Sequence, residues 1–256
     1  MFNDYIPALI LAFIQGITEW IPVSSSGHLV LFERILNYPG GLEFEVALHF
    51  GTLMAVFVYF GREITDIIRD FLSGSWKSDN GKMAWFLIIA SLPAAIIGFS
   101  AMDYLESFFL EFKIITLGFA LTGIILLIAS VSSSHGKELN FPIVLMIGFA
   151  QALAIIPGIS RSGITISTAI LLGLSEKKAM KFSFLMAIPI IFGASLISLG
   201  TESLSPDLIW ATLVSFVVGL LTIHFLFNYI LISRKNFRWF GIYCLLLALF
   251  LLFFII

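Results

Sequence analysis

Apolar residues run along this chain in long blocks, interrupted by short clusters of charge, proline, serine and glycine. A helix needs roughly 20 mostly apolar residues to cross a bilayer. Six blocks reach that length, at about 44–61, 83–101, 114–131, 182–200, 208–231 and 239–256. Two further segments, about 5–36 and 141–174, do not read as single spans. Each holds an apolar run, a break and a second apolar run. The breaks are Pro22-Val23-Ser24-Ser25-Ser26-Gly27 and Pro157-Gly158-Ile159-Ser160-Arg161-Ser162-Gly163. Half-length helices around such breaks predict re-entrant hairpins, because irregular backbone is tolerated at membrane depth only when buried in protein or lining a wet cavity. The expected fold is an all-α integral membrane protein with six transmembrane helices and two re-entrant helical hairpins.

Composition agrees. Of 256 residues, 59% are hydrophobic and 12% charged, about half the roughly 25% of a soluble domain. Mean hydropathy is +1.05. Lipid is therefore the expected solvent, and membrane lipids are expected partners. A net charge of -2 argues against nucleic acid, which calls for a basic face. One cysteine, Cys244, rules out an internal disulfide and a cysteine-based zinc site. The first residues lack a basic stretch and a small-residue cleavage site, so no removable signal peptide is expected.

The charges between the blocks set an orientation, since cytoplasmic loops carry the excess of Lys and Arg. Arg62, Arg69, Lys77 and Lys82 mark one cytoplasmic loop, and Lys137, then Lys177, Lys178 and Lys181, and Arg234, Lys235 and Arg238 mark the others. The stretches with Asp103, Glu106 and Glu111, and with Glu202 and Asp207, fall outside. This is self-consistent only if 141–174 enters and leaves on one side. By the same logic 5–36 enters and leaves from the outside.

The two broken segments also resemble each other. Phe13 and Phe149, Gln15 and Gln151, Ser24 and Ser160, Ser26 and Ser162, and Gly27 and Gly163 share one offset of 136 positions. Each half is one hairpin plus three spans, and three is odd, so the halves run in opposite senses. The expectation is a single membrane domain, 1–256, made of two inverted halves at about 1–137 and 138–256. Inverted repeats with broken helices place a polar site near the midplane, where the repeats meet.

The chemistry lies at the breaks. Gln15 and Glu19 share one helix face, four apart, with Thr18 beside them. Pro22 ends that helix, the Ser24-Ser25-Ser26-Gly27 turn offers hydroxyls and close backbone approach, and His28 follows. A helix start preceded by Ser and Gly suits an anion, although Ser24 reads equally well as a plain cap. A carboxylate, hydroxyls and an imidazole can supply base, nucleophile and proton shuttle. Intramembrane ionisable groups are costly and usually functional, which singles out Glu19 and Arg161. The guanidinium fork suits phosphate oxygens, and an ion pair with Glu19 is compatible with that role. Glu45 could face the site or be solvated at an interface. His49 reads as a packing histidine, and His224 as a partner for a neighbouring helix.

On QGITEWIPVSSSGH, on Phe44-Glu45-Val46 and on PGISRSG, the whole chain resembles the undecaprenyl-diphosphate phosphatase family, membrane phosphatases linked to bacitracin resistance. The resemblance implies hydrolysis of polyprenyl (undecaprenyl) diphosphate to the monophosphate and inorganic phosphate, which recycles the carrier lipid for cell-wall or glycan synthesis. It implies a multi-pass protein of the plasma membrane whose site opens to the extracytoplasmic side. Gln15 stands where many members carry Glu, so Glu19 must carry the charge.

On this reading the catalytic residues are Glu19, Ser25, His28 and Arg161. Ser25 is the expected nucleophile, with His28 or activated water as the alternatives; His28 is otherwise the proton shuttle, Glu19 the orienting or activating carboxylate, and Arg161 the phosphate clamp. Ser24, Ser26, Gly27, Ser160, Ser162 and Gly163 bind the phosphates, with Gln15, Thr18 and Glu45 in support. A divalent cation, Mg or Ca, is a candidate cofactor with Glu19 its candidate ligand. No organic cofactor is expected, and a homodimer is a candidate assembly. The competing class is a transporter or flippase of a phosphorylated polyprenyl lipid, which would bind the same headgroup without cleaving it. Ser26-Gly27-His28 is also similar to a motif of phosphatidic-acid-phosphatase-type enzymes. That superfamily needs a histidine six residues after its arginine, where this chain has Ser167.

Overall fold

The computed structural model describes residues 2–100, 108, 111–133, 136–199, 208–230 and 233–254. Asp103, Glu106, Glu202 and Asp207, which helped set the orientation, and His135 lie outside the described residues. Among the described residues every regular element is a helix: α1 (Phe2–Thr18), α2 (Ser25–Leu36), α3 (Leu42–Tyr59), α4 (Gly61–Leu72), α5 (Asp79–Ser100), α6 (Phe112–Val131), α7 (Phe141–Leu153), α8 (Arg161–Leu171), α9 (Glu176–Leu199), α10 (Ile209–Phe225) and α11 (Phe237–Phe254). A π turn, Leu226–Ile230, extends α10, and a 3-10 turn, Arg234–Asn236, leads into α11.

Among the described residues, four helical stretches are long and apolar enough to cross a membrane: α5, α6, Ile209–Tyr229 and Arg234–Phe253. A fifth is counted if α3 and α4 form one bent span. The segments about 44–61 and 182–200 lie on α3 and α9. Exposed Phe99, Leu117, Val131, Phe149 and Phe253 turn an apolar surface outward, as lipid solvent requires. Inside, Trp20, Phe182, Phe184 and Phe237 are fully buried in the main core.

Two features differ from the expectation. The basic stretch after α3 is not a plain loop: α4 turns 82° from α3. Its sequence is amphipathic, with Ile64 and Ile67 buried and Arg62 and Arg69 exposed, so it packs one face and leaves the other polar. Among the described residues His224 makes no hydrogen bond of its own to a neighbouring helix, although its ring packs edge-on against Tyr59 of α3 at 6.3 Å. Its Nδ1 lies 3.2 Å from the amide of Asn228, one turn along the same strand of backbone, and Asn228 carries the link to the Tyr59 hydroxyl at 3.5 Å.

The broken segments appear as helix, turn and helix. With 13, 12 and 11 residues, α7, α2 and α8 are each about 20 Å long or less, short of the ~30 Å hydrocarbon core. The packing is crossed: α1 lies along α10 and α7 lies along α5, while α3 meets α9 and α6 meets α11. Glycine allows the closest of these approaches. A Cβ on Gly123 would stand 2.8 Å from the Gly241 carbonyl oxygen, and one on Gly241 would stand 2.9 Å from the Gly123 carbonyl. Such small-residue contacts hold membrane helices together where apolar burial gives no net drive.

Away from the breaks, Arg234 joins α9 to the end of α6: its Nε donates to Glu176 at 2.7 Å and its Nη1 to the Ser132 carbonyl at 3.2 Å. Burial works to raise the Glu176 pKa, but the hydrogen bonds and charge of Arg234 outweigh it and hold the carboxyl below its ordinary value. The reciprocal glycine contact makes a direct prediction. Gly123→Ala must push α6 from α11, a cost of about 1–3 kcal/mol, seen as a lower melting temperature in detergent. An unchanged melt would contradict the close packing.

Candidate active site

Glu19 stands just past α1, where the helix unwinds towards Pro22. Its carboxylate is buried (side chain 5% exposed) and fully engaged. Oε1 accepts from Arg161 Nη2 at 2.5 Å. Oε2 accepts from the Ser25 hydroxyl at 2.6 Å and from the Gln15 amide at 3.1 Å. A buried carboxylate is sustained only by a cation and hydrogen bonds of this kind. Gln15 now has a physical reason: a second carboxylate in its place would face Glu19 across a hydrogen-bond distance. Thr18 stays on its own helix, donating to the Ile14 carbonyl at 2.7 Å.

The turn that presents Ser25 is strained. Ser24 takes φ +71°, a region costly for a residue with a Cβ, and caps α2 by accepting from the Gly27 amide at 3.3 Å. The second break is built alike. Ser160 caps α8 by accepting from the Gly163 amide at 3.0 Å. Gly158 sits at φ +89°, where a Cβ would meet the Ile115 carbonyl oxygen at 2.2 Å. Thr122 on α6 holds this turn, accepting from the Ser160 amide at 2.9 Å and donating to the Gly158 carbonyl at 3.3 Å.

The two breaks touch. Besides the Glu19–Arg161 pair, Ser162 donates to the Ile21 carbonyl at 3.3 Å. A Cβ on Gly27 would come within 3.2 Å of Gly158 Cα. The Arg161 guanidinium also lies 5.6 Å over the Trp20 ring, and its Nη1 is buried without a hydrogen-bond partner.

A cavity of about 730 Å³ opens beside the pair, lined at its polar end by Thr18, Glu19, Ser25, Ser26, Glu45 and His49, with Ser160 and Arg161 opposite. Apart from Gln151 and Ser195, the rest of its wall is apolar, from Ala94, Ala95 and Phe99 on α5 to Ile155, Ile190 and Ile191.

Not every expected residue reaches this cavity. His28 is buried away from it. Its Nδ1–H donates to the Ser24 carbonyl at 2.7 Å, so Nε2 accepts from the Tyr243 hydroxyl at 2.6 Å. The ring ties the Ser24 turn to α11, and both nitrogens are used. The Gly27 and Gly163 amides point to their serine caps, and Ser24 and Ser162 are spent on caps and the inter-break contact. Of the expected phosphate-binding set, Ser26 and Ser160 line the cavity.

The sequence reads His49 as a packing histidine, whereas the structure places it beside Glu19. It sits 3.6 Å from Glu19 Oε2 and lines the cavity; its spacing of four from Glu45 was the available signal. Thr122 and Tyr243, which hold the two turns, carried no local signal because both come from remote helices.

Comparison with known proteins now decides the family. The profile of bacitracin resistance protein BacA matches residues 8–250. The chain belongs to the BacA bacitracin-resistance family. An undecaprenyl-diphosphatase of Korarchaeum cryptofilum is 37% identical, over 94% of this chain and 96% of its own. Those of Chromohalobacter salexigens and Methanococcus vannielii are 41% identical, over 86% and 88%, and 34% identical, over 96% and 99%. With its apolar helices, membership in this family of membrane enzymes makes the chain a multi-pass membrane protein.

The buried pair sets a stability expectation. Glu19→Ala strands Arg161 without its counter-charge and should cost about 3–5 kcal/mol. Glu19→Gln, which fills the same volume and keeps one accepting oxygen, should cost less. Equal melting temperatures for the two variants would contradict this account of the pair.

Proposed function

We propose that this protein hydrolyses undecaprenyl diphosphate to the monophosphate and inorganic phosphate, as its relatives are named for doing. One observation carries the chemistry: a buried carboxylate, Glu19, holds the Ser25 hydroxyl at 2.6 Å and Arg161 on its other oxygen, at the polar end of a largely apolar cavity. That is a base, a nucleophile and a phosphate clamp beside a wall suited to a prenyl chain.

The diphosphate enters at the polar end while its chain stays along α5 and α9. Arg161 Nη1 is available for a phosphate oxygen, and Ser26 and Ser160 face the same space. Charge stabilisation of this kind is the main work of a phosphoryl-transfer site. Ser25 Oγ attacks the terminal phosphorus and gives its proton to Glu19. The bond from that phosphorus to the bridging oxygen breaks, and the prenyl monophosphate leaves. Water then attacks the phosphoserine, the bond to Oγ breaks, Ser25 regains a proton and inorganic phosphate departs. His28 supports this from behind by holding the Ser24 turn.

A resident metal centre does not fit these donors. Both Glu19 oxygens are occupied, and no cluster of three or more His, Cys, Asp or Glu among the described residues suits a metal. A divalent cation, Mg or Ca, enters the proposal only as a counter-ion brought by the diphosphate, and no step is routed through it.

The finer architecture belongs to the same proposal: six spans and two re-entrant hairpins, in inverted halves at about 1–137 and 138–256. The shared offset, the matching serine caps and the crossed packing of α1 on α10 and α7 on α5 support it. The loop charges support a site opening outside the plasma membrane, where the spent carrier lipid is returned to cell-wall or glycan synthesis.

Purified protein turning over undecaprenyl diphosphate should yield phosphoserine at Ser25 when quenched early. Ser25→Ala and Arg161→Lys, both folded, should each lose at least about a hundredfold in phosphate release. Full activity in either would overturn the assigned role. Folded wild type that binds the lipid and releases no phosphate would favour the transporter.

A further inference from the structure

Two ionisable groups that line the cavity, Glu45 and His49, have no task in that reaction, and His49 is the one within reach of Glu19. His49, on α3, is held by its own helix. Its Nδ1–H donates to the Glu45 carbonyl at 2.8 Å, which fixes the tautomer and turns Nε2 to the other side. There Nε2 stands 3.6 Å from Glu19 Oε2, the oxygen that accepts from Ser25. The side chain is 28% exposed and lines the cavity. It therefore connects a buried carboxylate to water, which His28, sealed between Ser24 and Tyr243, does not do.

The charged surroundings are few. Glu19 faces His49 from the turn after α1, with Arg161 of α8 on the far carboxylate oxygen. Glu45 lies one turn back on α3, and Glu33 of α2 is near enough to interact with its charge. Along α10, the only titratable side chain is His224, at the far end beside Asn228. On α9 the charged residues are confined to the first turns, where Lys181 pairs with Glu63.

We propose that His49 is a positioning residue that carries the reaction's proton out of the site. It rests on the phosphatase reading. In the first half-reaction the Ser25 proton passes to Glu19 Oε2 and on to His49 Nε2; an O–H bond breaks, an N–H bond forms, and Glu19 is again a carboxylate paired with Arg161. In the second, Glu19 takes a proton from the attacking water and hands it to Ser25 Oγ as the bond to phosphorus breaks. His49 then releases its proton through the cavity. This matches the proton set free when an ionised diphosphate is hydrolysed. Without the relay, Glu19 stays protonated after the first step, its pairing with Arg161 weakens, and the water finds no base.

The test is His49→Gln, which keeps a polar group near Nε2 but cannot titrate, with His49→Asn as a second variant should the first not fold. Phosphate release from undecaprenyl diphosphate would be measured against pH with the full chain in detergent. His49 takes the proton only in its neutral form, so the wild-type kcat profile should carry an acid limb that depends on this side chain. In the folded variant, kcat should fall about ten- to a hundredfold with KM within about twofold, and that acid limb should flatten. Wild-type kcat in the variant, or a reduced kcat with an unaltered acid limb, would overturn the relay alone. No phosphate release by wild type would remove the phosphatase reading and the relay together.

Discussion

The structure turns on one ion pair. Glu19 and Arg161 come from breaks in helices far apart in the chain, and their charged groups meet where both side chains are buried. Neither would be stable there alone, since an uncompensated charge in a low-dielectric interior costs several kcal/mol. The pair therefore does two jobs. It holds the two broken segments together, and it places a carboxylate and a guanidinium at a cavity wide enough for a lipid headgroup.

Everything around the pair serves to deliver it. Proline ends α1, and serine caps with a glycine three positions on restart both helices. Those caps consume backbone amides that would otherwise be orphaned at membrane depth. Glycines leave room for the breaks: Gly27 lets one break approach the other, and Gly118 and Gly158 seat the second break against α6, where a Cβ on Gly118 would lie 2.6 Å from the Pro157 carbonyl oxygen. Distant helices finish the work, with Thr122 securing one turn and Tyr243, through His28, the other. The strain at Ser24 is held by this surrounding network, and it points the next hydroxyl, that of Ser25, at Glu19.

Much of this was legible in the chain. Hydropathy located the long helices, the Pro/Ser/Gly clusters located the breaks, and the cost of burying charge singled out Glu19 and Arg161 as partners. What escaped was direction. A sequence shows that His28 follows a serine turn but not which way its ring points, and packing against Phe119 and Tyr243 turns it from the cavity. The nearness of His49 to Glu19 was hidden for the converse reason: its only sequence cue was its place four residues after Glu45, and Glu19 comes from another part of the chain. The Gly27 and Gly163 amides looked free for phosphate because helix starts usually leave them so, whereas local serine side chains had already claimed them. The helix α4 was hidden because its charges marked a loop, although Ile64 and Ile67 carry its buried face.

The central claim is that two breaks from opposite halves of the chain form one phosphatase site around the Glu19–Arg161 pair. Its most direct test is phosphate release from undecaprenyl diphosphate by purified wild type, Glu19→Ala and Arg161→Ala, each shown to be folded. Release by wild type that both variants lose, one from each half, is the predicted result. Retained release in either variant would contradict the claim.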